Sequence, residues 1–372
     1  MAGWTGSCDP AFAAVADAFA AAIADGTERG ALCVMAADRV LVDIRGGTAA
    51  HGRVWAEDTL ACCFSVRKGV LSLLAHVMIA RGLLQLETRV AALWPAFAAQ
   101  GKGTITVHDV LTHRAGLPAV SGQVERGDLY DWARMIGHLE GSAPVVPPQD
   151  VPVYHNMTYG HLLGEVLCRA AGVSHLPTLL HQMVTGPLGA DFRIGLQAQD
   201  IARCATLTQD DPTALFLAVK DEPATLFARS MAFFAEGEDF NSDPWRCAVV
   251  GSGSGHATAQ AIARLYGQLV WPGGLLPRAT QIALRREQCR NPADPILGLP
   301  VRYGLGFELS LPPGLDFGPN PQAVGHWGAG GAQGFADPDT GLSFGYVTGH
   351  MSGAMGSSVR GRAYVAALYD CL

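Results

Sequence analysis

The sequence predicts a mixed α/β fold, of the α+β type, in which both ends of the chain build one sheet and a mainly helical region lies between them. Strand-like stretches occur near both termini, at 30–47 and after residue 302. Helical runs separated by Gly/Pro loops occupy much of residues 84–290. The 372 residues are 49% hydrophobic, which is ample for a large core.

This distribution also predicts how the chain divides into domains. We expect residues 1–60 and 300–372 to form an α/β domain built from both termini, and residues 61–299 to form a mainly helical domain. Clefts between domains are common binding sites, so we expect the active site at the interface of the two.

The N-terminal elements can be assigned in order. Residues 9–26 predict a surface helix, with Asp9 as its cap, Pro10 in its first turn and Gly26 at its end. One face of this helix is apolar: Phe12, Val15, Phe19 and Ile23. Residues 30–47 predict two strands around a turn at 37–39, because β-branched and apolar residues dominate there.

The remaining elements follow the same patterns. Residues 64–83 predict a helix that is apolar nearly all round and therefore buried. The stretch 285–300 is a charged, proline-containing connector, and strands follow from residue 302, with a turn at the "DPDTG" sequence. Residues 357–372 predict a final helix.

Composition excludes several classes of function. The net charge is −7 and no basic tract occurs, which argues against nucleic acid or an anionic membrane as partner. No run reaches the roughly 18 apolar residues of a membrane span, and no export signal is expected. The nine cysteines are scattered, without a C-x-x-C or metal-site spacing. We therefore expect reduced thiols and a cytoplasmic protein.

A serine precedes a lysine by three positions in "CFSVRKGV", residues 62–69. Only Lys68, Lys102 and Lys220 are lysines among the 26 basic residues, so a lysine at position 68 is unusual for a chain that otherwise uses arginine. Lysine can lose its proton near neutral pH, whereas arginine cannot. Residues i and i+3 of a helix share a face, so Lys68 would lie beside the Ser65 hydroxyl as its base. The alternative is a capping serine with an unrelated lysine.

A tyrosine could complete this pair. The sequence Tyr154-His155-Asn156 is the chain's only Y-x-N. A phenol beside a lysine ammonium is favoured as phenolate, and could exchange protons with Ser65 or a leaving group. The alternative is an ordinary core tyrosine, and Tyr159 is a nearby rival.

The third stretch, "GHWGAGG", contains His326, Trp327, Gly328 and Ala329. Glycines around a strand let a substrate approach the backbone closely. The alternative is a glycine-rich bulge in which His326 is a structural histidine.

In order and spacing, these three stretches resemble the motifs of serine β-lactamase-like proteins, a group with class C β-lactamases, DD-peptidases and family VIII carboxylesterases. The resemblance implies a β-lactamase/DD-peptidase-like fold, with an antiparallel sheet flanked by helices and a helical domain. It implies Ser65 as the acylated nucleophile, with Lys68 and Tyr154 as proton carriers. It further implies the backbone N–H groups of Ser65 and Ala329 as oxyanion donors, Asn156 on the acyl side of the substrate, and no metal or organic cofactor.

The third motif departs from the family pattern. His326-Trp327-Gly328 stands where β-lactamases and DD-peptidases typically have Lys-Thr-Gly, and we expect these three residues to contact substrate. A histidine is largely neutral near pH 7, so it does not provide the fixed cation that a substrate carboxylate needs. The replacement of the lysine by His326 and of the threonine by the bulky Trp327 weakens the antibiotic-hydrolase interpretation. Both replacements favour esters without an anionic group.

We therefore expect a cytoplasmic serine carboxylesterase that acts on a small-molecule ester. One alternative within the fold is β-lactam or amide hydrolysis, or acyl transfer to another alcohol. The alternative from another class is a non-catalytic penicillin-binding homologue that binds a ligand or partner. The sequence leaves the physiological substrate, the acyl chain length and the oligomeric state open.

Overall fold

A computed structural model of the chain describes residues 3–125, 127–209, 224–234, 239–312, 314–353 and 356–372. The strands are β1 (Trp4–Cys8), β2 (Gly30–Ala36), β3 (Arg39–Gly46), β4 (Thr48–Ala50), β5 (Arg53–Val54), β6 (Ala61–Cys62), β7 (Phe192–Ile194), β8 (Thr208–Gln209), β9 (Gly255–Ala257), β10 (Cys289–Asn291), β11 (Val301–Tyr303), β12 (Glu308–Leu309), β13 (Val324–Trp327), β14 (Gln333–Ala336), β15 (Leu342–Thr348) and β16 (His350–Met351). The α-helices are α1 (Ala13–Ala24), α2 (Val66–Ala80), α3 (Val90–Leu93), α4 (Val107–Leu111), α5 (Trp132–Gly141), α6 (Tyr159–Ala171), α7 (Leu176–Leu180), α8 (Ala198–Ile201), α9 (Leu226–Ser230), α10 (Asp243–Cys247), α11 (Ala259–Gly267), α12 (Arg278–Leu284) and α13 (Val359–Tyr369).

Both ends of the chain contribute to one large sheet, as the sequence predicts. Within the described residues this sheet has nine strands in the order β1-β3-β2-β15-β14-β13-β12-β11-β10. Every neighbouring pair is antiparallel. The central contact is β2 against β15, where Ala36 pairs with Leu342 and Gly30 with Thr348.

The sheet separates two hydrophobic cores because successive side chains of a strand point to opposite faces. On β2, Leu32 and Val34 pack into one core together with α1 and α13. Ala31, Cys33 and Met35 of the same strand pack into the other core, together with α2 and α11. The sheet is therefore covered on both faces, and its terminal helices share one of them.

The helical part of the chain contacts the sheet beside the start of α2. A small three-stranded sheet, β6-β9-β7, lies there and leads directly into α2. Helix α2 is buried along nearly its whole length, as predicted from its apolar sequence. Its first turn contains the Ser65–Lys68 pair.

Two strands lie outside the predicted pattern. β1 forms an edge of the main sheet by pairing with β3, and β10 forms the other edge within the stretch interpreted as a connector. The expected domain division remains a prediction. Its boundary at residue 300 does not coincide with the edge of the sheet. Both β10 and α11 precede residue 300, yet β10 belongs to the sheet and α11 packs on it.

No helix among the described residues is long and apolar enough to cross a membrane. All nine cysteines are free thiols, as expected from their spacing.

Candidate active site

Ser65 lies at the N-terminus of α2, where the helix dipole favours negative charge. The preceding residue, Phe64, has a φ of 45°, a strained value for a bulky side chain. The turn is fixed by the Cys63 N–H, which donates to the carbonyl of Gly255 on β9 at 2.8 Å. This turn leaves Ser65 partly exposed while its neighbours are buried.

Lys68 lies one helical turn after Ser65, and its Nζ is 2.8 Å from the Ser65 Oγ. The side chain is fully buried. Burial lowers the pKa of Lys68 well below its usual value, the positive charge of Arg67 acts in the same direction, and Glu308 opposes them. A buried ammonium is costly, so the neutral amine is favoured, and a neutral amine can accept the serine proton.

Tyr154 lies beside this pair, with its ring centroid 4.6 Å from the Lys68 Nζ. Asp294 fixes the segment, because its Oδ2 accepts the Tyr154 N–H at 2.7 Å. Burial and the Glu308 carboxyl raise the pKa of Tyr154, while a hydrogen bond with Ser65 acts in the opposite direction. The phenol is therefore favoured over the phenolate that the sequence suggested, because burial raises the pKa of Tyr154 and Lys68 is favoured as the neutral amine.

The rival tyrosine, Tyr159, belongs to a different network. It lies on α6, is buried, and its hydroxyl is 2.7 Å from the Ser72 Oγ. Ser72 also donates to the backbone carbonyl of Lys68 at 2.8 Å. Tyr159 therefore stabilises α2 through Ser72, and Tyr154 is the tyrosine that faces Ser65.

The third motif spans the last two residues of β13, His326 and Trp327, and the residues that follow them. Trp327, Gly328 and Ala329 line a cavity that also contains Ser65. Gly328 needs to be glycine, because a Cβ there would lie 2.2 Å from the carbonyl oxygen of Cys63. This close approach holds the end of β13 against the turn that carries the nucleophile.

His326 was expected to contact substrate, but its ring is buried and lines neither of the two cavities beside Ser65. Its Nδ1 is 2.8 Å from the Trp327 carbonyl oxygen, and its ring centroid is 6.1 Å from that of Tyr154. Burial lowers the pKa of His326 to about 3, so the ring is neutral. A direct contact between His326 and substrate remains a prediction that this placement does not favour.

Glu308 is a residue of this site that the sequence reasoning missed. It lies on β12, is buried and lines the cavity with Ser65 and Tyr154. Its Oε2 accepts the Trp327 N–H at 3.1 Å. Burial raises the pKa of Glu308 to about 8, so it is largely protonated at neutral pH. The available signal was an acidic residue inside the apolar strand sequence "YGLGFELS".

Two cavities flank the nucleophile and share Ser65, Asn156 and Ala329. The first, the tyrosine cavity, encloses about 430 Å³ including open solvent and is lined further by Tyr154, Leu297, Leu299, Glu308, Leu315, Trp327, Gly328 and Gly356. The second, the aromatic cavity, encloses about 450 Å³ and is lined further by Phe64, Met157, Phe227, Met231, Phe234, Phe240, Trp245, Ser252 and Gly253. An ester placed on Ser65 could direct its acyl and alcohol parts to opposite sides.

The described residues contain no group of three or more His, Cys, Asp or Glu side chains that could hold a metal ion. The groups at Ser65 are a hydroxyl, an amine, a phenol, the Glu308 carboxyl and backbone N–H groups.

The chain is similar to proteins that act on esters and β-lactams. The family described as Beta-lactamase matches residues 15–368. A relative, the Esterase/beta-lactamase LipL of Mycobacterium tuberculosis, is 32% identical over 374 residues, which cover 92% of this chain and 82% of that protein.

Two solved structures match nearly the whole chain. A penicillin-binding protein homolog from Caulobacter crescentus is 33% identical, with a TM-score of 0.88, and the match covers 99% of this chain and 100% of the other. A family VIII carboxylesterase is 34% identical, with a TM-score of 0.86 and the same coverage. These matches confirm the fold predicted from the sequence.

Proposed function

Because the chain belongs to the beta-lactamase family, we propose that it is a carboxylesterase that hydrolyses small neutral acyl esters through an acyl-enzyme on Ser65. The family includes serine ester hydrolases, and the 34% identical carboxylesterase supports this activity here. The observation that carries the proposal is the 2.8 Å contact between the Ser65 hydroxyl and the buried amine of Lys68.

Acylation starts when the neutral Lys68 amine accepts the Ser65 proton while Oγ attacks the ester carbonyl carbon. The carbonyl oxygen becomes an oxyanion, which the backbone N–H groups of Ser65 and Ala329 stabilise at the helix N-terminus. The bond to the alcohol oxygen then breaks. Tyr154, kept as a phenol by burial, gives its proton to the leaving alkoxide and recovers one from Lys68.

Deacylation repeats these steps with water. A water molecule gives a proton to Lys68, directly or through Tyr154, and its oxygen attacks the acyl carbon. The tetrahedral intermediate collapses with Ser65 as leaving group, and the serine recovers the proton. The acid is released and all three side chains return to their starting states.

The test is labelling with a fluorophosphonate together with the variant Ser65→Ala. We expect the adduct on Ser65 and not on Ser252, the other serine that lines the aromatic cavity. Loss of a covalent nucleophile typically costs several orders of magnitude in kcat, so Ser65→Ala should hydrolyse p-nitrophenyl acetate at under 1% of the wild-type rate. A labelled Ser252, an unlabelled protein, or an active Ser65→Ala variant would contradict the proposal, and an unlabelled protein would favour the non-catalytic binder.

β-Lactam hydrolysis is the second candidate, because the name of the Mycobacterium tuberculosis relative includes both activities. The electrostatics of the third motif argue against it, since the neutral His326 supplies no cation for a substrate carboxylate. A chromogenic cephalosporin distinguishes the two: a kcat/KM equal to that of the best ester would favour the β-lactamase. A cytoplasmic location and acyl transfer to another alcohol remain predictions from the sequence.

A further inference from the structure

The walls of the aromatic cavity are mainly apolar. Phe240 packs edge-on against Phe64 with ring centroids 5.2 Å apart, and against Trp245 at 4.8 Å. Phe234 contacts both Phe240 and Trp245, at 6.2 and 6.0 Å. No charged side chain among the described residues lines the cavity. Edge-to-face clusters of this kind accept a further aromatic ring readily.

Asn156 is a polar side chain that lines both cavities, and one of its amide N–H groups is already engaged. Its Nδ2 donates a hydrogen bond to the Met231 Sδ, 3.0 Å away. Met231 follows α9 directly, is only 4% exposed and lines the cavity. A thioether is a weak acceptor, so the contact itself is not strong. Met231 nevertheless occupies the space in which a substrate carbonyl would have to lie to accept that N–H.

The effect of Met231 on substrate binding depends on the substrate's acyl group. An acyl group with an amide on its α-carbon would bring polar atoms between Asn156 and the aromatic walls. It would have to displace the packed Met231 to reach the Asn156 N–H that points at the thioether. Without that donor, its polar atoms face a mainly apolar cavity, which is unfavourable. An acyl group that has an aromatic ring but no amide requires neither change.

We propose that the aromatic cavity is the acyl subsite, and that Met231 makes it select esters of apolar aromatic acids over esters of acids with an α-acylamino group. This inference rests on the proposed esterase function, because it requires an acyl-enzyme on Ser65. Asn156 then differs from the role implied by the family resemblance: the N–H that would bind a substrate amide is directed at the buried Met231 instead.

The test uses three esters with one leaving group: p-nitrophenyl acetate, phenylacetate and N-benzoylglycinate. After correction for the alkaline hydrolysis rate of each ester, we expect wild-type kcat/KM to be at least tenfold higher for phenylacetate than for acetate. Met231→Ala frees the Asn156 amide and the space beside it. The ratio of kcat/KM for benzoylglycinate to that for phenylacetate should then rise at least tenfold.

Two further variants separate the causes. Met231→Leu fills nearly the same volume without sulfur, so the benzoylglycinate-to-phenylacetate ratio should stay within threefold of wild type. Adding Asn156→Leu to Met231→Ala should remove most of the gain, because the freed amide donor is lost. Circular dichroism and the rate of fluorophosphonate labelling confirm that each variant is folded.

The outcomes distinguish the two proposals. Acetate hydrolysis through a labelled Ser65, with no preference for phenylacetate in wild type, would overturn the subsite inference alone. So would a folded Met231→Ala variant whose ratio changes less than threefold. A protein that fluorophosphonate does not label and that hydrolyses none of the esters would overturn both this inference and the esterase proposal.

Discussion

At the scale of single residues, the protonation state of Lys68 decides whether the proposed mechanism works. Lys68→Arg keeps a cation but removes the base, because arginine stays protonated even where burial lowers its pKa. We expect kcat for p-nitrophenyl acetate to fall at least a thousandfold in Lys68→Arg, about as far as in Lys68→Ala. Steady-state kinetics on the folded variants measure this.

Lys102 provides the matched control. It is the other buried lysine among the described residues, and its Nζ donates to the backbone carbonyls of Ala99, Glu140 and Ser142. Lys102→Arg should lower the free energy of unfolding while kcat of the folded enzyme stays within threefold of wild type. A Lys68→Arg variant with more than a few per cent of wild-type kcat would show that Lys68 supplies only charge.

The site residues differ in how well the sequence could predict them. Ser65, Lys68 and Tyr154 could be found because their chemistry requires particular residue types at particular spacings. The protonation of Tyr154 could not, because it depends on burial by residues distant in sequence. Met231 could not be found either, since a lone methionine has no spacing to recognise and acquires a role only through its contact at Asn156. Glu308 had one signal, an acidic residue in an apolar strand sequence, but its contact at Trp327 depends on the fold.

At the scale of elements, the N-terminus of α6 fixes the loop that supports the nucleophile. Gly160 packs against this loop, and a Cβ there would lie 1.5 Å from the carbonyl oxygen of Gly251. The loop continues into Gly255, whose carbonyl accepts the Cys63 N–H. We expect Gly160→Ala to lower the free energy of unfolding by about 3 kcal/mol or more, measured by urea denaturation.

A glycine on α5 is the control for this substitution. Gly137 lies within the helix and is exposed, and a Cβ added there would have no neighbouring atom within 4 Å. Gly137→Ala should raise the free energy of unfolding by roughly 0.5–1 kcal/mol, because alanine loses less backbone entropy in a helix. Equal effects of the two substitutions would mean that the contact between α6 and the loop does not stabilise the fold.

The elements that the sequence predicted and those it did not differ in what stabilises them. The hairpin of β2 and β3 and the helix α2 have strong local patterns, and they lie where predicted. β1 ("WTGSC") and β10 ("CRN") have none, because they are short, partly exposed edge strands. Their neighbours in the sheet, β3 and β11, impose the strand conformation, and pairing of that kind cannot be read from a local window.

At the scale of the whole molecule, a large buried interior keeps many titratable groups neutral. Six histidines are buried with lowered pKa values: His76, His113, His155, His161, His256 and His326. The pKa values of His76 and His155 are lowered to about 4 by burial. Once unfolded, each ring regains an ordinary pKa of about 6.5. Between these values the unfolded chain binds protons that the folded chain does not.

Stability should therefore fall steeply as the pH drops below about 6.5, because protons bind to the unfolded state. Between pH 7.5 and 5.5 each buried histidine costs about 1.4 kcal/mol. Lys68 acts in the same direction, since burial also lowers its pKa. Glu308 opposes the trend, because its pKa is raised to about 8 and the folded state binds its proton first. The net loss should be about 6 kcal/mol or more, measured by urea denaturation at each pH.

One substitution separates this mechanism from general acid sensitivity. The His76 Nε2 is 2.8 Å from the Leu305 carbonyl oxygen, a contact that a glutamine amide can also make. His76→Gln removes one of the six titrating rings, so the loss between pH 7.5 and 5.5 should shrink by about 1.4 kcal/mol. The variant's lower stability at pH 7.5 does not affect this difference. A wild-type free energy of unfolding that stays constant over the interval would show that these histidines do not remain neutral inside the fold. The neutral interior on which the protonation states of Lys68 and Tyr154 depend would then have to be abandoned as well.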